Sequence, residues 1–90
     1  MPKTATVTLV TREGCHLCDA AREIVTAVVG ENRSASLVEL SIDDDAVLAD
    51  RYAEEIPVIL INDRVHNIWR VDPDRFRSAL DAATESQAIA

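Results

Sequence analysis

The stretch REGCHLCDAAREIV, residues 12–25, places Cys15 and Cys18 three residues apart at a point where a strand-like segment gives way to a helical pattern. Two cysteines at this spacing fit three interpretations: a redox couple, part of a metal site, or two small residues packed in a core. The segments on either side of the pair are needed to choose between them.

Those segments predict a strand followed by a helix. Residues 5–10 alternate apolar side chains with threonines, which is typical of a strand, and Glu13 and Gly14 end it. Beyond the cysteines, apolar residues recur at helical spacing until Gly30 stops the pattern: Leu17, Ala21, Ile24, Val25 and Val28. A strand that runs directly into a helix is the first half of a βαβ unit.

The middle of the chain predicts a second strand, a short helix and a buried third strand. Residues 36–42 put Val38, Leu40 and Ile42 on one face, and residues 46–53 carry apolar residues at helical spacing. Pro57 then precedes the unbroken apolar run 58–61. Such a run is expected of a strand buried on both faces, so we place it at the centre of the sheet.

The end of the chain predicts a hairpin and a last helix. A tight turn at residues 62–63 leads into an antiparallel strand at residues 64–69. Asp72 is a good N-cap, and the helix that it begins is predicted to reach Ala83. Residues 84–90 are expected to fray. The predicted order is therefore β-α-β-α-β-β-α.

Composition indicates one ordinary globular domain. The chain has 90 residues, of which 48% are hydrophobic and 28% charged, so we expect a single domain over residues 1–90 with a folded core from about 5 to 83. The net charge of −7 makes nucleic acid an unfavourable partner. No apolar run could cross a bilayer and no signal peptide is recognisable, so we expect a cytoplasmic monomer without a membrane partner. Asp43, Asp44 and Asp45 are interpreted as a solvated loop and a helix start.

The element order and two short motifs resemble the glutaredoxin family, and more closely its small glutaredoxin-like branch. The resemblance spans roughly residues 7–83 and rests on overall length and on two stretches: Gly14-Cys15-His16-Leu17-Cys18 and Glu55-Ile56-Pro57-Val58. It implies an α/β, thioredoxin-like (glutaredoxin-type) fold with a four-stranded mixed sheet flanked by about three helices.

The position of the cysteines predicts thiol–disulfide oxidoreductase activity. If the helix begins near Cys15, its sulfur lies over unpaired backbone N–H groups and the positive end of the helix dipole, which favour the thiolate. Cys18 lies one turn later and deeper. We therefore expect Cys15 to be the nucleophile and Cys18 the resolving cysteine in the reduction of protein or glutathione mixed disulfides.

Five further residues are candidates for substrate binding. A cationic His16 would favour the thiolate, and Arg12 matches a basic residue that helps glutaredoxins to bind a carboxylate of glutathione. The resemblance also implies a cis Ile56-Pro57 bond, with the Ile56 backbone presented to an extended substrate. Asp72 could meet an ammonium group, although capping of the last helix explains it more simply.

The chain departs from the family where glutaredoxins usually carry Gly-Gly and then acidic residues, which close over the γ-glutamyl end of glutathione. Here the sequence is Asn67-Ile68-Trp69-Arg70-Val71-Asp72. We interpret Trp69 as a packing residue in preference to a platform for the substrate. The loss of glycine's close backbone approach makes glutathione a doubtful cosubstrate, and the thioredoxin system becomes the favoured electron donor.

Two other classes of function remain open. In one, the protein is an iron–sulfur or metal carrier in which Cys15, alone or together with Cys18, supplies thiolates and a second subunit completes the site. In the other, it is a thioredoxin-fold binding module without turnover, in which Cys15 has an ordinary pKa. A closed zinc site needs four ligands, and the Cys and His residues of the chain do not readily supply them: Cys15, Cys18, His16 and His66. We expect no required cofactor and no metal ligand.

Overall fold

The structure, a computed structural model, describes residues 4–85. Its elements follow the predicted order: β1 (Ala5–Thr11), α1 (His16–Gly30), β2 (Ala35–Ser41), a 3₁₀ helix (Ile42–Asp44), α2 (Ala46–Tyr52), β3 (Val58–Ile61), β4 (Arg64–Ile68) and α3 (Pro73–Glu85). The four strands form one mixed sheet in the order β2-β1-β3-β4. β1 pairs with β2 in parallel and with β3 antiparallel, and β3 pairs antiparallel with β4. The predicted α/β fold is confirmed.

One face of the sheet is covered by α1 and α3. We call the apolar residues buried there the α1–α3 cluster: Ala5, Val7, Leu9, Ala21, Val25, Val28, Val29, Ile59, Ile61, Val71, Phe76 and Leu80. On the other face, below α2, lies a smaller group that we call the α2 cluster: Val10, Cys15, Cys18, Tyr52, Ile56, Val58 and Leu60. Alternate residues of β3 belong to the two clusters, so this strand is buried on both faces, as its apolar run predicts.

The turn between β3 and β4 also follows the prediction. Asn62 and Asp63 have φ angles of 51° and 68°, the left-handed pair that a two-residue hairpin turn needs. The Asn62 side-chain oxygen accepts from the Thr6 backbone N–H at 3.0 Å, so the turn is tied to the start of β1.

Several boundaries differ from those predicted by one or two residues. Ile42 continues the alternation of β2, but the chain leaves the sheet at Ser41, whose hydroxyl caps the 3₁₀ helix by accepting from the Asp43 N–H at 3.1 Å. Trp69 lies just past the end of β4. Helix α3 reaches Glu85, because Thr84 is buried and its hydroxyl donates to the Leu80 carbonyl at 3.1 Å. Residues 86–90 of the stretch expected to fray lie outside the described residues.

No helix in residues 4–85 combines the length and the apolar character needed to cross a membrane.

Candidate active site

The cysteine pair lies where β1 is followed by α1. Gly14 has a φ of 71°, a conformation that costs glycine little, and it turns the chain so that Cys15 is the N-cap of α1. The Cys18 backbone N–H donates to Cys15 Sγ at 3.1 Å. The sulfur therefore occupies the position from which an N-cap side chain satisfies a free amide of the first turn. This is the location predicted from the sequence.

The two cysteines are joined in a disulfide, with their Cα atoms 5.2 Å apart. Cys18 is fully buried, whereas Cys15 keeps 7% of its surface exposed. A partner molecule can therefore reach the Cys15 side of the bond more easily than the Cys18 side. The order in which the two cysteines react stays a prediction.

The loop before β3 packs against the disulfide. Ile56 is buried in the α2 cluster together with both cysteines, and the Ile56-Pro57 peptide bond is cis, as the family resemblance implied. The Glu55 N–H donates to the Tyr52 carbonyl at 2.8 Å, which ties the loop to the end of α2. Within the described residues, neither the amide nor the carbonyl of Ile56 has a backbone hydrogen-bond partner. We call residues 53–57 the cis-proline loop.

Trp69 contacts the cis-proline loop from the β4 side, which the sequence did not reveal. Its backbone N–H donates to the Pro57 carbonyl at 2.9 Å, and its indole Nε1–H donates to the Glu54 carbonyl at 3.1 Å. Its φ is 67°, the left-handed region in which glycine is favoured. Trp69 is also 53% exposed, so the interpretation as a packing residue was incomplete.

A mostly apolar cleft of about 280 Å³ lies between α1 and the segment after β4. Its lining residues are Leu17, Ala20, Ala21, Ile24, Trp69, Arg70 and Val71. Trp69 and Arg70 thus line this cleft at positions for which the family resemblance implied glycines.

Arg12 is exposed and lines a different pocket, of about 350 Å³. The other lining residues are Thr11, Glu13, Arg22, Glu39, Ser41, Asp43 and Asp44, among which carboxylates predominate. Arg22 binds Glu39 through two hydrogen bonds of 2.8 Å, and this contact holds the pKa of Glu39 below its usual range. Arg12 thus lies near several carboxylates, one of which is paired with Arg22, and the glutathione-binding role predicted for Arg12 stays a prediction.

Asp72 caps α3, which is the simpler of the two roles considered for it. Its Oδ1 accepts from the backbone N–H groups of Asp74 at 3.0 Å and of Arg75 at 3.3 Å. The cap engages this oxygen, and binding of an ammonium group by Asp72 stays a prediction. His16 is the first residue of α1 and is exposed. Its influence on the Cys15 thiolate also stays a prediction.

The loop in front of Gly14 is anchored by an aspartate of the 3₁₀ helix. Asp43 Oδ2 accepts from the Glu13 backbone N–H at 2.9 Å, and Asp45 caps α2 by accepting from the N–H groups of Val47 and Leu48. Asp43 is thus a loop residue and Asp45 a helix-start residue, as the sequence indicated. No group of three or more His, Cys, Asp and Glu side chains among residues 4–85 is arranged to hold a metal ion.

The sequence is similar to known proteins of one family. The sequence model of the family "Glutaredoxin-like domain (DUF836)" matches residues 6–81. The "Glutaredoxin-like protein YDR286C homolog" of Dictyostelium discoideum is 27% identical over 90 residues, which cover 94% of this chain and 83% of that protein.

Solved structures are also similar. The protein XcR50 of X. campestris is 34% identical, with a TM-score of 0.65 over 86% of this chain and 97% of that chain. A mutant thioredoxin of Halobacterium salinarum NRC-1 has a TM-score of 0.71 over 92% of this chain and 77% of that chain, and at 16% identity it shows the fold alone. The chain therefore belongs to the glutaredoxin-like domain family, and it has the thioredoxin-like fold.

Proposed function

We propose that this protein is a dithiol oxidoreductase that reduces disulfides in polypeptides, with Cys15 as the nucleophile and Cys18 as the resolving cysteine. The observation that carries the proposal is the position of Cys15 Sγ at the N-terminus of α1, where it accepts from the Cys18 amide at 3.1 Å. In the reduced protein the same amide and the helix dipole would stabilise a Cys15 thiolate. The proposed setting is a reducing compartment such as the cytoplasm.

The proposed reaction consists of two exchange steps. The Cys15 thiolate attacks one sulfur of the substrate disulfide, and a Cys15–substrate disulfide forms as the other substrate sulfur leaves as a thiolate and takes up a proton. Cys18, having lost its proton, then attacks the Cys15 sulfur and releases the second substrate thiol. Two electrons pass from the dithiol to the substrate, which leaves the Cys15–Cys18 disulfide. A second dithiol protein of the thioredoxin class would reduce the pair again.

Three features support a polypeptide as the substrate in preference to glutathione. The amide and carbonyl of Ile56, which have no backbone partner in residues 4–85, could pair with an extended chain, as the edge of a strand does. Trp69 stands where the family usually carries glycine, and it lines an apolar cleft that offers few partners for a charged γ-glutamyl end. The pocket of Arg12 is rich in carboxylates.

Trapping of the mixed disulfide tests the mechanism. Reduced Cys18→Ser, Cys15→Ser and unmodified protein are each mixed with a protein disulfide substrate, acid-quenched, and analysed by intact mass spectrometry. We expect Cys18→Ser to accumulate a Cys15–substrate adduct and Cys15→Ser to form none. The unmodified protein should complete both steps and form the Cys15–Cys18 disulfide. Exchange that survives in Cys15→Ser would contradict the assignment of the nucleophile.

The electron donor is tested on the oxidised protein. Its reduction is followed with thioredoxin and thioredoxin reductase, and with glutathione and glutathione reductase, at matched potentials. We expect the thioredoxin system to be at least about tenfold faster, because each lost hydrogen bond to a charged end of glutathione can weaken binding by about tenfold. The double variant Trp69→Gly/Arg70→Gly should show a smaller difference between the rates with the two donor systems. Efficient turnover of the unmodified protein with glutathione would contradict this choice of donor.

A further inference from the structure

We propose that Trp69 is a positioning residue that holds the cis-proline loop, so that the backbone of Ile56 meets a polypeptide substrate in a fixed geometry. The role rests on the proposed function, but the contacts that suggest it do not. Trp69 donates to two carbonyls of the same loop, one from its backbone and one from its side chain.

The backbone contact extends the β3–β4 ladder. Val58 and Ile68 are the last paired residues of the two strands, and the bond of 2.9 Å from the Trp69 N–H to the Pro57 carbonyl lies one position further along. Pro57 has no N–H to donate in return. Among the residues that the structure describes, this is therefore the one backbone hydrogen bond between Pro57 and the end of β4.

The side-chain contact reaches the other part of the loop. The indole N–H donates at 3.1 Å to the carbonyl of Glu54, three residues before Pro57. Ile56 lies between the two carbonyls that Trp69 holds. Its own amide and carbonyl have no backbone partner in residues 4–85, so the orientation of its backbone depends on the contacts on either side of it and on the burial of its side chain in the α2 cluster.

The conformation of Trp69 supports a role beyond packing. A large side chain at a φ of 67° is disfavoured, and glycine would adopt this angle without strain. Burial of the Trp69 side chain offsets only part of the cost of this backbone conformation, because Trp69 is 53% exposed. The indole N–H bond to the loop is the feature that glycine at this position could not provide.

The test compares two disulfides that release the same coloured thiolate. One is a ten-residue peptide whose central cysteine is joined to nitrothiobenzoate, and the other is dithiobis(nitrobenzoic acid), which has no peptide backbone. Single-turnover rates are measured with the reduced unmodified protein and with two variants. Trp69→Phe keeps an aromatic ring but removes the indole N–H donor. Trp69→Gly removes the whole side chain and places a glycine at the left-handed φ angle. Val65→Ala, an exposed change on β4, is the control for a general loosening of that strand.

In both Trp69 variants we expect the peptide rate to fall about three- to tenfold, the effect of one lost hydrogen bond, while the rate with the small disulfide stays within about twofold. Val65→Ala should change neither rate. An unchanged ratio of peptide rate to small-disulfide rate in both Trp69 variants would overturn the proposal.

Amide hydrogen exchange gives a readout that is independent of activity. We expect Trp69→Phe to speed exchange of the Glu55 amide by about tenfold, while the amides of β1 keep their protection. Unchanged Glu55 exchange would overturn the holding role. If the unmodified protein reacted with neither disulfide, the proposed function would fail, and the exchange measurement would still decide whether Trp69 holds the loop.

Discussion

The two faces of the sheet differ in how well they are covered. The α1–α3 cluster lies under helices of 15 and 13 residues, whereas the α2 cluster lies under a helix of 7 residues. The less covered cluster is the one that contains both cysteines and Ile56. Most of the apolar burial is thus separated by the sheet from the groups proposed to react. Such a division would let the α2 side open to a substrate without unfolding the domain.

Helix α1 joins the two faces. Cys18 belongs to the α2 cluster, and Ala21, three residues later, belongs to the α1–α3 cluster. The helix that carries the cysteines is therefore anchored by the better covered core. This anchor gives the N-terminus of α1 a fixed position even if α2 moves.

Truncation of the largest fully buried residue should have the greatest effect on stability. Phe76 belongs to the α1–α3 cluster and is fully buried, so Phe76→Ala should lower the free energy of unfolding by about 3–5 kcal/mol. Leu48 lies at the margin of the α2 cluster, so Leu48→Ala should lower the free energy of unfolding by only about 1–2 kcal/mol. Urea denaturation of both variants measures the difference. Equal losses would show that the two clusters carry similar stability.

Chemical reactivity should differ between the two cysteines of the reduced protein. Cys15 combines partial exposure with a helix N-terminus, and Cys18 is fully buried, so Cys15 should be alkylated at least about tenfold faster at neutral pH. Iodoacetamide labelling followed by peptide mass spectrometry gives both rates. Faster labelling of Cys18 would reverse the roles proposed for the pair.

Much of the fold could be predicted because the local signals and the tertiary structure agree. The apolar run of β3 alternates between two buried faces, and the cysteine spacing coincides with an N-cap. Cys15 and Cys18 could therefore be placed from the sequence alone. The cis bond before Pro57 came only from the family resemblance, because a cis bond has no local pattern of its own.

The unpredicted features depend on contacts between distant parts of the chain. Trp69 bonds to Glu54, and its left-handed conformation is one that propensity disfavours for a large side chain. Arg12 lies among carboxylates because the parallel pairing of β1 with β2 brings Glu39 and the 3₁₀ helix beside it. Neither arrangement can be read from spacing along the sequence.

Removal of the helix caps tests the difference between the two faces through a smaller expected loss of stability. Asp45 caps α2 and Asp72 caps α3 through similar hydrogen bonds. Replacement of either aspartate by Ala should lower the free energy of unfolding by about 1 kcal/mol. Replacement by Asn, which is also a good cap, should lower it by only a few tenths of a kcal/mol. Seven residues are too few for a stable isolated helix, so Asp45→Ala should also speed amide exchange within α2. Urea denaturation and hydrogen exchange check both statements. Faster exchange of α3 in Asp72→Ala by the same factor would contradict the greater sensitivity expected for α2.

The smallest expected effect concerns the ion pair that ties α1 to the edge strand β2. Arg22 hydrogen-bonds Glu39 and lowers the pKa of that carboxyl, with a further contribution from the Thr11 hydroxyl, while burial opposes the shift. A carboxyl whose pKa is lowered on folding stabilises the protein above its unfolded pKa, ordinarily 4.5, and this contribution is lost as the pH falls through the folded value. The Arg22 and Glu39 side chains are 40% and 36% exposed, so water screens the pair and its contribution should be at most about 1 kcal/mol.

Glu39→Gln tests this pH dependence. The variant should be less stable than the unmodified protein at pH 7, and the difference should shrink as the pH falls below the ordinary carboxyl pKa toward about pH 3, because the Glu39 carboxyl takes up a proton as the pH falls through its folded pKa. Glu23→Gln, an exposed change on α1, corrects for the altered net charge. Urea denaturation across this pH range gives the two curves, and added salt should reduce their separation at pH 7 because the pair is partly exposed. A loss of stability that is the same at pH 3 and pH 7 would mean that Glu39 acts through packing and neutral hydrogen bonds, and that its charge adds nothing to the link between α1 and β2.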